Sequence, residues 1–291
     1  MDDRALITYE RARLHRALID RGVLAVNAEG IATNADKGNK ASRAIASLLA
    51  EQLMSETHER QAGQTSGSTF EVLLAQFLSD TFPRLQHVRP GAWDVIQLGN
   101  RSAMKTSTFA QYEHLEYLHE LTSENARLKT ILGNDYMVAP DVVVYRRPVD
   151  DEVLNAPFDV VDGDAATLTE LRATNNERPL LLASVSAKWT MRSDRAQNSR
   201  TEALNLIRNR KGQAPHIVVV TGEPLPSRIA SLALGTGDID CMYHVALYEL
   251  VRAVDAYAAQ AGRDDISEQL DTLIAGKRLK DISDLPLDLC L

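Results

Sequence analysis

Four times between residues 138 and 248 the chain passes through a short apolar block: VAPDVVVYR (138–146), LLLASVSAKW (180–189), HIVVVTG (216–222) and CMYHVALY (241–248). Blocks of this kind are of strand type. Stretches with helical spacing separate the last three, at 195–210 and 226–234. That order confines the chain to the α/β class, with a mixed central sheet flanked by helices. Upstream, apolar spacing of three and four predicts additional helical elements over 3–25, 42–56 and 69–82, the last capped by Ser68 or Thr69. A charged amphipathic helix is predicted over 108–132. Between the first two helices, NAEGIATNADKGNKAS (27–42) reads as an extended loop. No repeat or linker divides the 291 residues, so a single domain over 1–291 is expected.

Charge and thiols narrow the function classes. No run approaches about 18 apolar residues, so no membrane span is expected. The start, MDDRALITYERARLHRAL, is charged and helical in pattern, unlike a signal peptide. Cys241 and Cys290 belong to no metal-spaced cluster, and a reducing, cytoplasmic setting is expected. The net charge of −8 argues weakly against nucleic acid until its distribution is considered. Residues 188–211 hold seven Lys or Arg against two acids. A basic segment on an acidic body can steer a polyanion to one place, although a solvated helix face reads the same way.

The chemistry starts at Asp141, which follows Pro140 at the head of DVVVY, a charge set against valines. Alone, it also suits a strand-edge turn. Ser186 and Lys188 lie two apart in their block and so project from one face. An acid on one strand and a lysine on its neighbour make a hydrolytic site. The carboxylate holds a divalent metal, and the lysine orients or activates the attacking water. One carboxylate is too few to clamp a metal on a phosphodiester. Glu202, on the next helix, and Glu71, near the head of the 69–82 helix, are the candidate partners, though each alone also suits a solvated helix face. Arg192-Ser193-Asp194-Arg195 supplies two-pronged donors for guanine O6 and N7 and an acceptor for cytosine N4. Trp189 reads as a packed aromatic and His216 as a strand-end histidine.

These residues carry a resemblance. Pro140-Asp141 and Lys188 resemble the PD…(D/E)XK signature of restriction-endonuclease-type nucleases. Ser186 departs from it, standing where the signature has an acid. This is similar to the subgroup of restriction enzymes that cut CCGG-containing sites, where a glutamate on the next helix supplies the acid. Glu202 stands at that place. The strings GQTSG, QHVRPGAW, SDRAQN, LNLIRNRKG, PHIVVVT, PSRIASLALGTG and GKRLKDISDLP closely resemble that subgroup, in blocks from about residue 20 to the C-terminus.

The resemblance implies a restriction-endonuclease-like fold and a type II endonuclease acting on double-stranded DNA at palindromic GCCGGC. Cleavage after the first G would leave a four-base 5′ overhang. It further implies Mg2+ held by Asp141 and Glu202, with Glu71 as an additional acid. Lys188 would face the developing charge, and Ser186 would orient groups within the site. Two dimers would form a homotetramer that binds two DNA duplexes. Arg192, Asp194 and Arg195 would read CCGG, and Arg228, Gln64 and Asp36 the outer pair. Near Asp36, Gly38 stands where a serine is expected. Arg208, Arg210 and Lys211 are assigned to phosphates. Two rivals remain: a structure-specific nuclease of the same fold, and a DNA-binding protein that does not cut.

Overall fold

The valine and leucine blocks become the middle of a six-stranded sheet. The structure, a computed structural model, describes residues 4–54, 66–98, 106–125, 127, 130, 140–191, 193–235 and 237–291, with backbone alone at 66 and 193–196. In chain order its main elements are α1 (Leu6–Asp20), α2 (Lys40–Leu53), α3 (Ser66–Thr81), β1 (Trp93–Gln97), α4 (His114–Glu124), β2 (Val142–Arg146) and β3 (Leu180–Lys188). There follow α5 (Ser193–Asn209), β4 (His216–Thr221), α6 (Pro226–Ala233), β5 (Cys241–His244), α7 (Leu247–Ala261), α8 (Asp264–Ala275) and β6 (Leu279–Asp281).

The strands lie in sequence order, β1 to β6. The first three are antiparallel; β3 to β6 are parallel. The sheet is therefore mixed, as the block pattern predicts. Parallel neighbours need crossovers, which α5, α6 and the α7–α8 pair supply. Helical cover explains why Val142–Val144, Val185 and Val218–Val220 are all buried.

This topology gathers polar groups at one edge. Lys188, Thr221, His244 and Asp281 are successive partners across β3, β4, β5 and β6. Because β2 runs against β3, its leading residue Asp141 arrives at the same edge.

Several predicted elements change at their ends. The first helix spans Leu6–Asp20 rather than 3–25, and the next residues pack Val23, Leu24 and Ala25 into the core. The second starts at Lys40, with the Asn39 side chain accepting from Ser42 N at 3.0 Å. The third starts at Ser66, so Ser68 and Thr69 lie within its first turn rather than capping it. The described part of 108–132 opens with 3-10 turns at Thr106–Thr108 and Ala110–Tyr112 before α4. The block 241–248 is a strand only to His244 and then becomes α7. Strands β1 and β6 have no apolar block to announce them; β1 is half-buried along its length and β6 has three residues.

Candidate active site

Register builds the site. Val142 pairs with Val185, so Asp141, one residue earlier, faces the end of β3. Its backbone carbonyl accepts from Leu98 N at 3.0 Å, which pins the Pro140-Asp141 corner to β1. The Asp141 Oδ2 accepts from Ala187 N at 2.7 Å and from Lys188 Nζ at 2.8 Å. Ser186 and Lys188, on one face of β3, both reach this carboxylate. The Ser186 hydroxyl stands 3.5 Å from Asp141 Oδ2 and 3.5 Å from Glu202 Oε2. It also meets the Ser199 hydroxyl at 3.4 Å. Ser199 and Glu202, three apart on α5, turn one helix face toward the strand.

Glu71 comes from α3, where Gln97 Nε2 donates to its Oε2 at 2.9 Å. Burial pushes the Glu71 carboxyl above the ordinary range; the Gln97 bond opposes this, while the Asp141 charge adds to it and Lys188 counters. Burial pushes Glu202 up as well, against the pull of Lys188 and with the push of Asp141. Three carboxylates thus share one lysine.

Above them opens a cleft of about 480 Å³ whose walls include Lys188, Glu202, Glu71, Asp36, Lys37 and Arg228. Asp36 and Arg228 form an ion pair with each other, and Asp36 Oδ1 also accepts from Gly38 N at 3.0 Å. A Cβ at Gly38 would lie 3.6 Å from that oxygen, an ordinary contact, so a serine fits there. Arg192 and Gln64 lie outside the described residues. Asp194 and Arg195 fall in the first turn of α5, and their side chains lie outside the described residues too.

Trp189 is a packed aromatic: it is buried, meets Phe70 edge-on at 5.2 Å, and donates from Nε1 to Thr33 Oγ1 at 3.3 Å. His216 pairs with Ala183 near the far end of the sheet, away from the cleft. Lys211 is placed away from the cleft as well. Its N–H donates to Gln111 O, and the Gln111 side chain binds Leu181 at the opposite end of β3 from Lys188. At 3.3 Å per residue that separation is roughly 20 Å.

Among the described residues no three His, Cys, Asp or Glu side chains converge as a finished metal cage. The donors still fit a divalent cation. Among the described residues every hydrogen bond to the Asp141 side chain falls on Oδ2, and Glu202 is met only at Oε2, leaving one oxygen of each open. Burial has raised Glu202 and Glu71, so added positive charge would be stabilising there.

One residue of this region escaped the sequence reading. Glu223, in the loop after β4, is fully buried, and burial pushes its carboxyl up to about 7. Its one signal was an acid set directly after HIVVVTG.

A lysine and two carboxylates at the edge of a mixed sheet, beside a polar cleft, belong here to a site-specific deoxyribonuclease of the type II restriction class. The chain belongs to the NgoMIV restriction enzyme family, whose model matches residues 14–291. It is 49% identical to the type II restriction enzyme NgoMIV of Neisseria gonorrhoeae over 287 residues, covering 98% of this chain and 99% of that one. A solved structure, the type IIF restriction endonuclease Bse634I with cognate DNA, matches at 14% identity and a TM-score of 0.36, covering 84% of this chain and 91% of that one.

Proposed function

We propose that the chain cuts double-stranded DNA at GCCGGC after the first G, leaving a four-base 5′ overhang, in a Mg2+-dependent PD-(D/E)XK site. The observation that carries the hydrolytic site is the Ser186 hydroxyl lying 3.5 Å from both Asp141 and Glu202 while Lys188 holds Asp141 at 2.8 Å. The recognition sequence and overhang rest on the family resemblance. Asp141 and Glu202 hold the Mg2+, which supplies charge neutralisation at the scissile phosphate. Lys188 orients the attacking water and faces the negative charge that develops on phosphorus oxygens. Ser186 sets the spacing of the two carboxylates, and Glu71 adds a third acid. Attack in line leaves 5′-phosphate and 3′-hydroxyl ends.

Asp194 and Arg195, in the first turn of α5, and Arg192, just before them in sequence, read the CCGG core. Arg228, Asp36 and Gln64 read the outer pair, which requires the Arg228–Asp36 ion pair to open toward bases. The chain acts as a single domain and assembles as a homotetramer, a dimer of dimers on two duplexes. This assembly rests on the family resemblance. Among the described residues no helix is long and apolar enough to cross a membrane. A DNA substrate and two free thiols suit the cytoplasm.

Plasmid incubated with Mg2+ and sequenced at its new ends tests the reading. Cuts confined to G/CCGGC, faster on a two-site than a one-site plasmid and absent in EDTA, are expected. Cutting in EDTA overturns the metal, scattered ends overturn the specificity, and equal rates with a dimer mass overturn the tetramer.

A further inference from the structure

A fully buried carboxylate is costly unless donors meet it, and Glu223 is met from two elements. Its Oε2 accepts from Met191 N at 2.8 Å, and its Oε1 from Leu225 N at 3.2 Å. Met191 lies two residues before α5, in the turn between Lys188 and the reader segment. Leu225 is the residue from which α6 starts. A third group approaches: Arg228 Nη1 is 3.8 Å from Glu223 Oε2, while Arg228 Nη2 pairs with Asp36. One side chain thus fastens the starts of two helices and stands behind an arginine on the cleft wall.

The surrounding loops are locked to the same point. Asn34 Nδ2, buried, donates to Gly222 O at 2.8 Å, which ties the Asp36 loop to the Glu223 loop. Gly222 lies flat on Trp189, where a Cβ would come within 2.5 Å of the ring. Met191 before α5, Arg228 and the Asp36 loop thus all connect to Glu223 or to the loop that carries it.

We propose that Glu223 is a positioning residue for base discrimination, holding the α5 reader segment and Arg228 at a fixed offset without touching DNA. This rests on the reading of Arg228, Asp36 and residues 192–195 as base contacts. Carboxylate chemistry is required because both oxygens accept; an amide would turn a donor toward Met191 N or Leu225 N.

Glu223→Gln and Glu223→Asp, compared with wild type, test it. Single-turnover cleavage and gel shifts in Ca2+ are run on GCCGGC duplex, on duplexes changed at the outer pair, and on an unrelated duplex. In Glu223→Gln, preference for GCCGGC over the outer-pair duplexes should fall about tenfold or more. Affinity for the unrelated duplex should change by less than about threefold, since phosphate contacts are untouched. Glu223→Asp, which keeps two acceptors, should recover part of the preference. In an Arg228→Ala background, Glu223→Gln should add nothing at the outer pair.

A uniform loss on every duplex with preference intact, or full additivity with Arg228→Ala, overturns the proposal as merely structural. If the variants do not fold, wild type serves. A proton on Glu223, which faces Arg228 and Asp36, turns an acceptor into a donor. Outer-pair preference in Ca2+ should then be weaker at pH 6 than at pH 8, and constant preference overturns the proposal. A wild type with no preference for GCCGGC overturns the underlying reading; a wild-type preference that Glu223→Gln keeps overturns this inference alone.

Discussion

Two clusters of acids around a cation stand at the same edge of the sheet, and they are built to opposite ends. At the close of β6, Asp281 accepts from Arg11 Nε and Nη2 at 2.8 Å each, and from Ser283 N, Ser283 Oγ and Leu247 N. Glu249 on α7 takes Arg11 Nη2 at 2.6 Å and Nη1 at 3.3 Å. Burial works to raise both acids, but the Arg11 bonds and charge outweigh it and hold both below their ordinary range. Every carboxylate oxygen there has a donor. At the close of β3, burial wins: Glu202 and Glu71 are pushed up, and Asp141 and Glu202 each keep an oxygen that no donor meets among the described residues. The first, saturated cluster is closed on itself, and the second keeps acceptor capacity open toward the cleft.

The comparison breaks first at its two anchors. Asp141→Ala should lower cleavage by roughly 10³-fold or more, since a transition-state contact is lost, yet leave the melting temperature nearly unchanged. Arg11→Ala should do the reverse: stability falls by about 3 kcal/mol, because Asp281 keeps its bonds from Ser283 and Leu247 but is left buried without a cation, while the folded fraction cuts normally. Single-turnover rates and thermal melts on both variants decide. If Arg11→Ala abolished cutting in fully folded protein, the two clusters would not be separate in function.

A smaller effect comes from pH. His244 lies beside the saturated cluster, its Nδ1 accepting from Ala246 N at 3.0 Å, and burial pushes its imidazole down to about 4 against the pull of Asp281. An unfolded histidine titrates near 6.5. Between these values the unfolded chain holds the extra proton, so this stability is complete above about pH 6.5 and is lost as pH falls toward 4. The loss is at most about 3 kcal/mol. Denaturant melts from pH 7 to 4.5 should show it, and His244→Asn, which keeps an acceptor for Ala246 N, should flatten the slope. An unchanged slope in that variant would assign it elsewhere.

The smallest change is the most telling. Glu202→Gln should stabilise the fold by up to about 1 kcal/mol, because an acid raised by burial is costly when ionised at neutral pH. The same variant should lose cleavage. Equal or lower stability would place Glu202 with the saturated kind of cluster, as a structural acid.

Sequence reading located the central strands because both faces of β2, β3 and β4 are covered, so nearly every residue between Val142 and Val144 or Val218 and Val220 must be apolar. It offered Asp141, Ser186 and Lys188 as candidates from strand type and alternation, and Glu202 from its nearness in sequence and the family resemblance. It left β1 and β6 unread, since a half-buried edge strand and a three-residue strand impose no apolar run. The helices α7 and α8 also went unassigned. Nothing in the residues told where Lys211 lies in space; the length of α5 carries it to the end of β3 opposite Lys188.

By itself, then, the order of the central strands and of the helices between them was written in the residues, because it depends on neighbours a few positions apart, whereas Asp141 met Lys188, 47 residues away, only through the register of β2 on β3. Tertiary structure alone decided which charges stay unsatisfied. Glu249 keeps no open oxygen because Arg11, 238 residues away in the chain, is brought to it. Glu223 became a joint between two helices only when the turn after β3 and the loop after β4 met over its carboxylate. Those meetings are set by packing across the whole sheet, where sequence distance carries no information about distance in space.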